Sequence, residues 1–503
     1  MSTKSMSEPQ IVRWWWLVAA VTGLVYAILS SAVYIPDSYE HVILAECMGQ
    51  GVSGRIDCSD IVLTFRPPLP ALLLIAISPF AHPLYGIALI SWLSATAVPA
   101  LFWRLAPPSI SLTQRLSVVG ILLASPLFHV FAQLADARMV VLPFMTLLGL
   151  SLWRMSEGIE VKHSARCAAI AVVLASLTRP EAVLLLPLAA LWLGWQQRES
   201  LKGFLLWSLP PMVVWWSILS ASAGRLVFAP RHWEGTLLAA WDFMPLRWSK
   251  QLYGMGLWSP PARQAALSLS PASSVPELSI SAWLDWLYSG LDSLFAIWLW
   301  PLLLLIIVVG LWRTEHRRVA LLGVLCAAPN LVGALLPQAR DPLFQISNLF
   351  PLWLILLIGL GLAIGQLLKR MESPISRMSL VLIAVGLSWW GGTVPDLKNG
   401  LEVQSVGQEA TAWLRQNTTA DQRIVSSFES APVVFLAERQ WEQWPSIWDE
   451  QRLFESPAPI LMISSEDGFW AGNTRFREPL PPPAAYFGIH GQWILIYDLA
   501  ARN

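Results

Sequence analysis

Charged residues are scarce in this sequence. They form 13% of the 503 residues, where soluble proteins carry roughly 25%, and Lys+Arg and Asp+Glu balance at 33 each. With a net charge of zero, the sequence shows no basic signature of nucleic-acid binding, so no nucleic-acid partner is expected. With four cysteines, the chain also lacks the cysteine density of a disulfide-stapled secreted scaffold.

The four cysteines fall into two groups. Cys167 and Cys326 lie inside apolar segments, which predicts inert core residues. Cys47 and Cys58 lie in the first polar loop, and a disulfide can form between them if this loop faces an oxidising compartment. Their spacing does not exclude two free thiols, so both interpretations stay open.

Apolar residues are abundant where charge is missing. They form 55% of the chain and recur in runs of about 17–25 residues, the length that crosses a bilayer as a helix. Many of the 29 tryptophans lie near the ends of these runs, as membrane-interface anchors do. The sequence therefore predicts an all-α polytopic membrane domain of about eleven transmembrane helices. The spans are expected at about 14–34, 85–103, 116–134, 139–153, 167–178, 182–196, 204–220, 294–312, 319–336, 348–367 and 378–392.

The distribution of Lys and Arg orients these spans. We interpret the first span as an uncleaved signal anchor with a cytoplasmic N-terminus, and the short apolar run 67–84 as a segment that does not cross. Each predicted inside segment then carries at least two positive charges. The short outside turns carry one each: Arg138, Arg179 and Arg340. Because N-glycosylation sequons are sparse, we expect an integral protein of a bacterial inner membrane rather than of the endoplasmic reticulum.

Two domains are expected. Residues 1–392 form the transmembrane domain, with a first extracytoplasmic loop at 35–84 and a second long loop at 221–293. Residues 393–503 form a small periplasmic α/β domain, long enough to fold on its own core. Its predicted elements are a helix at Glu402–Gln416 and strands at Arg423–Ser427, Pro459–Ser464 and Trp493–Tyr497.

An acidic motif follows the first span. Asp37, Glu40 and His41 lie where a membrane helix leaves the bilayer, and ionisable groups at such places are seldom there for packing. One interpretation is structural: Asp37 caps a helix and Glu40 completes the capping box. The other is catalytic, since a carboxylate at this position can take a proton from an attacking hydroxyl.

Further acids and arginines fall on the same predicted membrane face. Arginine pairs bidentately with phosphate, so this collection suits an anionic, lipid-borne substrate. The alternative for each arginine–acid pair is a salt bridge that fixes helix packing. The residues are Arg66, Asp136, Arg138, Arg179, Glu181, Arg340 and Asp341.

The order of these motifs resembles that of the GT-C superfamily of polytopic glycosyltransferases. The aminoarabinose transferase, protein O-mannosyltransferase and lumenal mannosyltransferase families are the most similar in style. The residues that carry the resemblance are Pro36–His41, Gly49–Gly51, Arg66–Leu69, Ser125-Pro126 with Asp136, Leu177–Glu181, Arg340 to Pro351, and Glu409–Asn417.

The resemblance implies transfer of a hexosyl or pentosyl unit from a polyprenyl-phosphate carrier to an acceptor hydroxyl on a lipid, glycan or protein. Asp37 is then the expected general base of an inverting reaction, with Glu40, His41 and Asp136 assisting. Four arginines are expected to hold the lipid phosphate, with Glu181 and Asp341 as supporting residues. The four are Arg66, Arg138, Arg179 and Arg340.

One departure concerns metal binding. Many members have two adjacent acids after the first span, whereas Ser38 follows Asp37 here and Glu40 comes one helical turn later. No metal ligand is therefore assigned, and dependence on Mg²⁺ or Mn²⁺ stays open.

Three other functions remain as alternatives. A flippase for lipid-linked sugars would place its ionisable residues near the bilayer midplane. An O-antigen polymerase or ligase would carry its catalytic charges in a large late loop. A non-catalytic assembly factor would tolerate replacement of Asp37 by Asn.

Overall fold

The computed structural model describes residues 36–50, 67–80, 83–125, 137–223, 342–373, 395–426, 431–443, 460–464, 481–489 and 492–499, with a few isolated positions between them. Their contacts divide the chain into two compact units. The first unit comprises Met1–Ala32, Leu63–Thr236 and Asp285–Val394. The second comprises Val33–Val62, Leu237–Leu284 and Pro395–Asn503, so the first loop belongs with the C-terminal residues.

The described part of the first unit is helical. Its helices are α2 (Leu69–Ile77), α3 (Pro83–Leu105), α4 (Leu112–Ala124), α5 (Ala137–Ser156), α6 (Val161–Ser176), a 3-10 helix (Pro180–Leu184), α7 (Leu185–Gln196), α8 (Arg198–Ala223) and α9 (Pro342–Arg370). Side chains such as Phe102, Leu122, Met139, Val172 and Leu357 form one shared core.

Three of these helices are long and apolar enough to cross a membrane: Tyr85–Leu105, Ala137–Ser156 and Arg198–Ala221. They coincide with the spans predicted at 85–103, 139–153 and 204–220. Helix α2 has 9 residues and is about 14 Å long, far short of the roughly 30 Å hydrocarbon layer. The spans predicted at 14–34, 294–312, 319–336 and 378–392 lie largely outside the described residues, so the number of about eleven stays a prediction.

The apolar run predicted as a span at 116–134 is not one continuous helix. Helix α4 begins earlier, at Leu112, and ends at Ala124, and Ser125 is extended with φ −76° and ψ 112°. The cause is Pro126, because a residue before proline is disfavoured in the helical region. The start of α4 is well defined, since Ser111 and Gln114 form a reciprocal capping box.

Helices α4 and α9 approach each other through two glycines. A Cβ added at Gly361 would collide with the Cα of Val118, and one at Gly365 would lie 2.5 Å from the Cα of Gln114. The glycines are four residues apart and therefore lie on one face of α9. In a membrane the hydrophobic effect does not drive helices together, so they associate through close packing. Faces of small residues allow the two backbones to approach closely.

The described part of the second unit is an α/β structure. Its elements are α1 (Pro36–Gln50), α10 (Pro395–Asn417), β1 (Arg423–Ser426), α11 (Ala431–Leu436), β2 (Gln440–Gln443), β3 (Ile460–Ser464), β4 (Ala485–Ile489) and β5 (Gln492–Asp498). The strand order is β2-β1-β3-β5-β4. Strand β1 is parallel to β2 and β3, whereas β5 is antiparallel to β3 and β4.

The predicted helix and three predicted strands of the C-terminal region occur as α10, β1, β3 and β5. Buried Ile424, Val425, Leu461 and Ile496 show why, since their short apolar runs supply the middle of the sheet. Strands β2 and β4 and helix α11 were not predicted. The segment predicted as a polar loop at 35–66 is instead helical over Pro36–Gln50.

Candidate active site

The end of helix α6 positions Arg179. The helix ends at Ser176, and Arg179 is extended, with φ −138° and ψ 134°, immediately before the 3-10 helix. This conformation follows from Pro180, which disfavours helical geometry in the residue before it. The Arg179 Nε donates a short hydrogen bond to Oε1 of Glu181, so the predicted pair is formed.

This ion pair is largely withdrawn from solvent. The Glu181 side chain is 8% exposed and that of Arg179 15% exposed. A charged pair in such surroundings is stable only with well-aligned hydrogen bonds, because removal of two charges from water is costly. The pair therefore holds the guanidinium in one orientation.

A main-chain hydrogen bond joins a second predicted motif to this point. The Leu69 N–H donates to the Leu177 carbonyl at 2.8 Å. Each group belongs to a helix end that lacks an intrahelical partner, so the start of α2 and the end of α6 satisfy each other. The Arg66–Leu69 and Leu177–Glu181 motifs are thus brought together through Leu69 and Leu177, although Arg66 itself lies outside the described residues.

The other predicted phosphate ligands are less fully described. Arg138 is the second residue of α5 and is partly buried. Asp136, Arg340 and Asp341 lie outside the described residues. Helix α9 begins at Pro342, directly after the last two.

The acidic motif lies on one helix of the second unit. Helix α1 begins at Pro36, a residue suited to the first helical position. Asp37 therefore lies inside the first turn, whereas a capping residue would lie before the first helical residue. The positive end of the helix dipole favours a carboxylate at this position. His41 follows on the same helix and is 2% exposed. Helix α1 packs against α11 within this unit.

Cys47 near the end of α1 is disulfide-bonded, whereas Cys167 and Cys326 are free thiols. The other cysteine of the first loop, Cys58, lies outside the described residues. The disulfide interpretation of the first loop is thereby favoured over two free thiols. The prediction that Cys326 is a core residue is confirmed by its 4% exposure.

Among the described residues, no group of three or more His, Cys, Asp or Glu is arranged to hold a metal ion.

Sequence reasoning missed the roles of two other arginines. The guanidinium of Arg115 donates to the carbonyls of Trp103, Ala106, Pro107 and Ile110. That of Arg439 donates to Thr418 Oγ1 and to the carbonyls of Leu414, Arg415, Ala437 and Thr418. Each closes the end of a helix, α3 and α10 respectively, and carbonyl acceptors leave no side-chain signal in a sequence.

No protein-family profile matches the chain, and no curated protein is significantly similar to it in sequence. Solved structures do match. ArnT from Cupriavidus metallidurans in the apo state has a TM-score of 0.56 at 13% identity, over 98% of this chain and 99% of that chain. The same protein bound to undecaprenyl phosphate gives 0.57 at 13% identity, over 97% and 98%.

A third match comes from the archaeal oligosaccharyltransferase AglB of Archaeoglobus fulgidus, in complex with an inhibitory peptide and a dolichol-phosphate. Its TM-score is 0.52 at 11% identity, over 90% of this chain and 70% of that chain. Both proteins are membrane glycosyltransferases of the GT-C superfamily. The resemblance indicated by the motifs is therefore confirmed at the level of the fold: the chain shares the architecture of GT-C membrane glycosyltransferases along nearly its whole length.

Proposed function

We propose that this protein is a glycosyltransferase that moves a sugar from a polyprenyl-phosphate carrier to an acceptor hydroxyl on the extracytoplasmic membrane face. The observation that carries the proposal is the buried Arg179–Glu181 pair at the junction of two motifs, in a chain that shares its fold with an undecaprenyl-phosphate-binding ArnT over 97% of its length. An oriented guanidinium matches a phosphate in geometry and charge.

Asp37 is the proposed general base. It takes the proton of the acceptor hydroxyl while the hydroxyl oxygen attacks the anomeric carbon. The bond between that carbon and the phosphate oxygen breaks, and the lipid phosphate leaves with the electron pair. A single displacement of this kind inverts the anomeric centre. Glu40 and His41, on the same helix, and Asp136 assist in positioning the acceptor.

Arg179 stabilises the negative charge that grows on the departing phosphate oxygen. Stabilisation of developing charge by oriented donors is usually the largest single contribution to catalysis. Arg66, Arg138 and Arg340 share the phosphate with Arg179, and Glu181 and Asp341 orient their neighbouring arginines. The lipid, glycan or protein acceptor is selected by the C-terminal domain (393–503).

The disulfide at Cys47 supports the proposed orientation. Disulfides persist in oxidising compartments such as the periplasm and are rare in the cytosol. With Cys47 in the first loop, the acidic motif and the C-terminal domain face the periplasm of a bacterial inner membrane, and the N-terminus faces the cytoplasm. A phosphatase reporter that is active only in the periplasm is expected to be active when it is fused after residue 503. An inactive fusion would indicate the opposite topology.

The decisive experiment is mass spectrometry of envelope glycans and lipid-linked sugars. We would compare the wild type, a deletion, Asp37→Asn and the matched control Asp421→Asn, an exposed carboxylate in the C-terminal domain. Loss of a base lowers the rate by about 10²–10⁴, so one sugar disappears from a glycan while its polyprenyl-phosphate donor persists. Asp421→Asn is expected to behave as the wild type.

The result against the proposal is equally specific. If Asp37→Asn keeps the glycan intact while the deletion loses it, the acidic motif is structural and the protein acts as a flippase, an O-antigen polymerase or ligase, or an assembly factor.

A further inference from the structure

Helix α8 exposes a long apolar face. Leu206, Val213, Val214 and Ile218 are 68%, 51%, 58% and 42% exposed, and Arg198–Ala221 is one of the helices long enough to cross a membrane. An apolar face of this length on a spanning helix lies against lipid, because its exposure to water would be unfavourable. Among the described elements, none covers it.

One end of this face forms a shallow, open groove of about 520 Å³ along α8 itself. Its walls are Arg198, Leu201, Lys202, Leu205, Leu206, Leu209 and Pro210. Because every lining residue belongs to α8, the groove is open to its surroundings along its length. Two cations therefore stand at the mouth of a groove that is otherwise lined by hydrocarbon.

The cations are arranged to act together. Arg198 and Lys202 are four residues apart, so they lie on the same face of α8 one turn from each other. The Arg198 Nε donates to the Gly194 carbonyl at 3.3 Å, which holds the guanidinium beside the groove. Glu199, the neighbouring acid, does not line it.

The adjacent helix adds positive charge to this region. Arg166 of α6 lies 5.3 Å from the ring centroid of Trp207 on α8, a cation–π contact that joins the two helices. Lys162, one turn before Arg166, is exposed. Both helices begin at this end, so their positive dipole ends add to the field.

These features select one class of occupant. Cations at the mouth of the groove attract a phosphate, and the leucines beyond them receive a hydrocarbon chain. Free inorganic phosphate would leave the apolar wall unused, and a soluble peptide has no access to a lipid-facing helix. We propose that the groove on α8 binds an anionic glycerophospholipid, with its phosphate on Arg198 and Lys202 and an acyl chain along Leu205, Leu209 and Pro210.

This site is separate from the proposed sugar-transfer site. The positive-inside distribution assigns Arg198 and Lys202 to the cytoplasmic side, where the leaflet is rich in anionic lipids. Failure of the transferase assay would leave the lipid-binding result unchanged.

The test is native mass spectrometry of the purified full-length protein with phosphatidylglycerol and with phosphatidylcholine of the same acyl chains. The wild type is expected to retain phosphatidylglycerol preferentially. In Arg198→Gln/Lys202→Gln the preference falls by roughly five-fold for each cation removed. Leu209→Trp places a bulky ring in the groove without a change of charge and is expected to displace the same lipid.

The matched control is Lys369→Gln/Arg370→Gln, a basic pair in the last turn of α9 that the topology assigns to the same membrane side. It is expected to keep the preference. Equal loss in this control reveals general surface attraction, and unchanged binding in Arg198→Gln/Lys202→Gln places the lipid elsewhere. Retained lipid that inorganic phosphate displaces would identify a simple anion site. Each of these three results overturns the proposal.

Discussion

Two helix ends in this protein use arginine in opposite ways. At the end of α10, Arg439 folds back onto the helix carbonyls and closes them. At the end of α6, the Leu177 carbonyl is satisfied by the Leu69 N–H, and Arg179 turns instead to Glu181. At the α6 terminus a backbone N–H serves the helix carbonyl, and the arginine that follows pairs with a carboxylate instead.

The contrast extends to Arg115 in the helical unit. Its guanidinium gathers four carbonyls at and after the end of α3, within 3.2 Å of each. Arg115 and Arg439 therefore stabilise structure in different units by the same contact, and Arg179 differs from both by having a carboxylate partner. The predictions below separate these roles.

The largest effect is expected from Arg179→Lys. Lysine keeps a charge near Glu181 but lacks the planar fork that matches phosphate, so turnover should fall by roughly 10². Hydrogen exchange of α6 and α7 should stay close to the wild type, because the Leu69–Leu177 hydrogen bond remains. Turnover and exchange, both measured on purified protein in lipid nanodiscs, check this. An unchanged turnover would make Arg179 a purely structural residue.

The same replacement at Arg439 should give the opposite result. An ammonium group cannot serve the carbonyls of Leu414, Arg415 and Thr418 together, so the end of α10 should lose about 2 kcal/mol of local stability. Its amides should then exchange roughly thirty-fold faster, with far less loss of turnover than in Arg179→Lys. Hydrogen-exchange mass spectrometry over residues 395–443 measures this. Equal exchange in Arg439→Lys and the wild type would show that Arg439 does not cap α10.

A smaller effect is expected from Glu181→Gln. The amide oxygen still accepts from the Arg179 Nε, but the charge that fixes the guanidinium is gone. We expect kcat to fall roughly five-fold with little change in KM for the lipid donor, because orientation is lost while phosphate attraction remains. Steady-state kinetics with the donor varied tests this. A large rise in KM alone would instead place Glu181 at the donor.

The smallest effect concerns pH. Hydrogen bonds from the Thr419 side chain and from its own backbone hold the pKa of Asp421 below its ordinary range. Its small contribution to stability is therefore present at neutral pH and is lost as the pH falls through the lowered pKa. Thermal unfolding of the wild type and Asp421→Asn should converge in acid and differ slightly at neutral pH. If the difference in unfolding temperature grew as the pH fell, Asp421 would not stabilise the protein in its charged form.

Much of this organisation is readable from residues alone. Long apolar runs mark α3, α5 and α8, and the short apolar runs of β1 and β3 mark the middle of the sheet. Strand β2 escapes prediction because Gln440–Gln443 is polar apart from Trp441, whose burial depends on tertiary packing. The break at Ser125 follows from a single proline inside an otherwise apolar run.

The candidate site divides in the same way. The Arg179–Glu181 pair follows from residues two positions apart around a proline, so a sequence indicates it. The grouping of α1 with the C-terminal residues depends on distant contacts that no local pattern encodes. The caps at Arg115 and Arg439 have main-chain partners, and these look alike at every position of a sequence.

The hydrogen bond between Leu69 and Leu177 has a consequence for mutagenesis. Because both of its atoms belong to the main chain, substitution of the side chain at either position leaves the donor and the acceptor in place. An alanine scan would therefore not detect this hydrogen bond between the two motifs. Leu69→Pro removes the donor, together with the leucine side chain, at the first helical position of α2. A main-chain hydrogen bond of this kind tolerates different side chains around it while it keeps the two segments at the same distance.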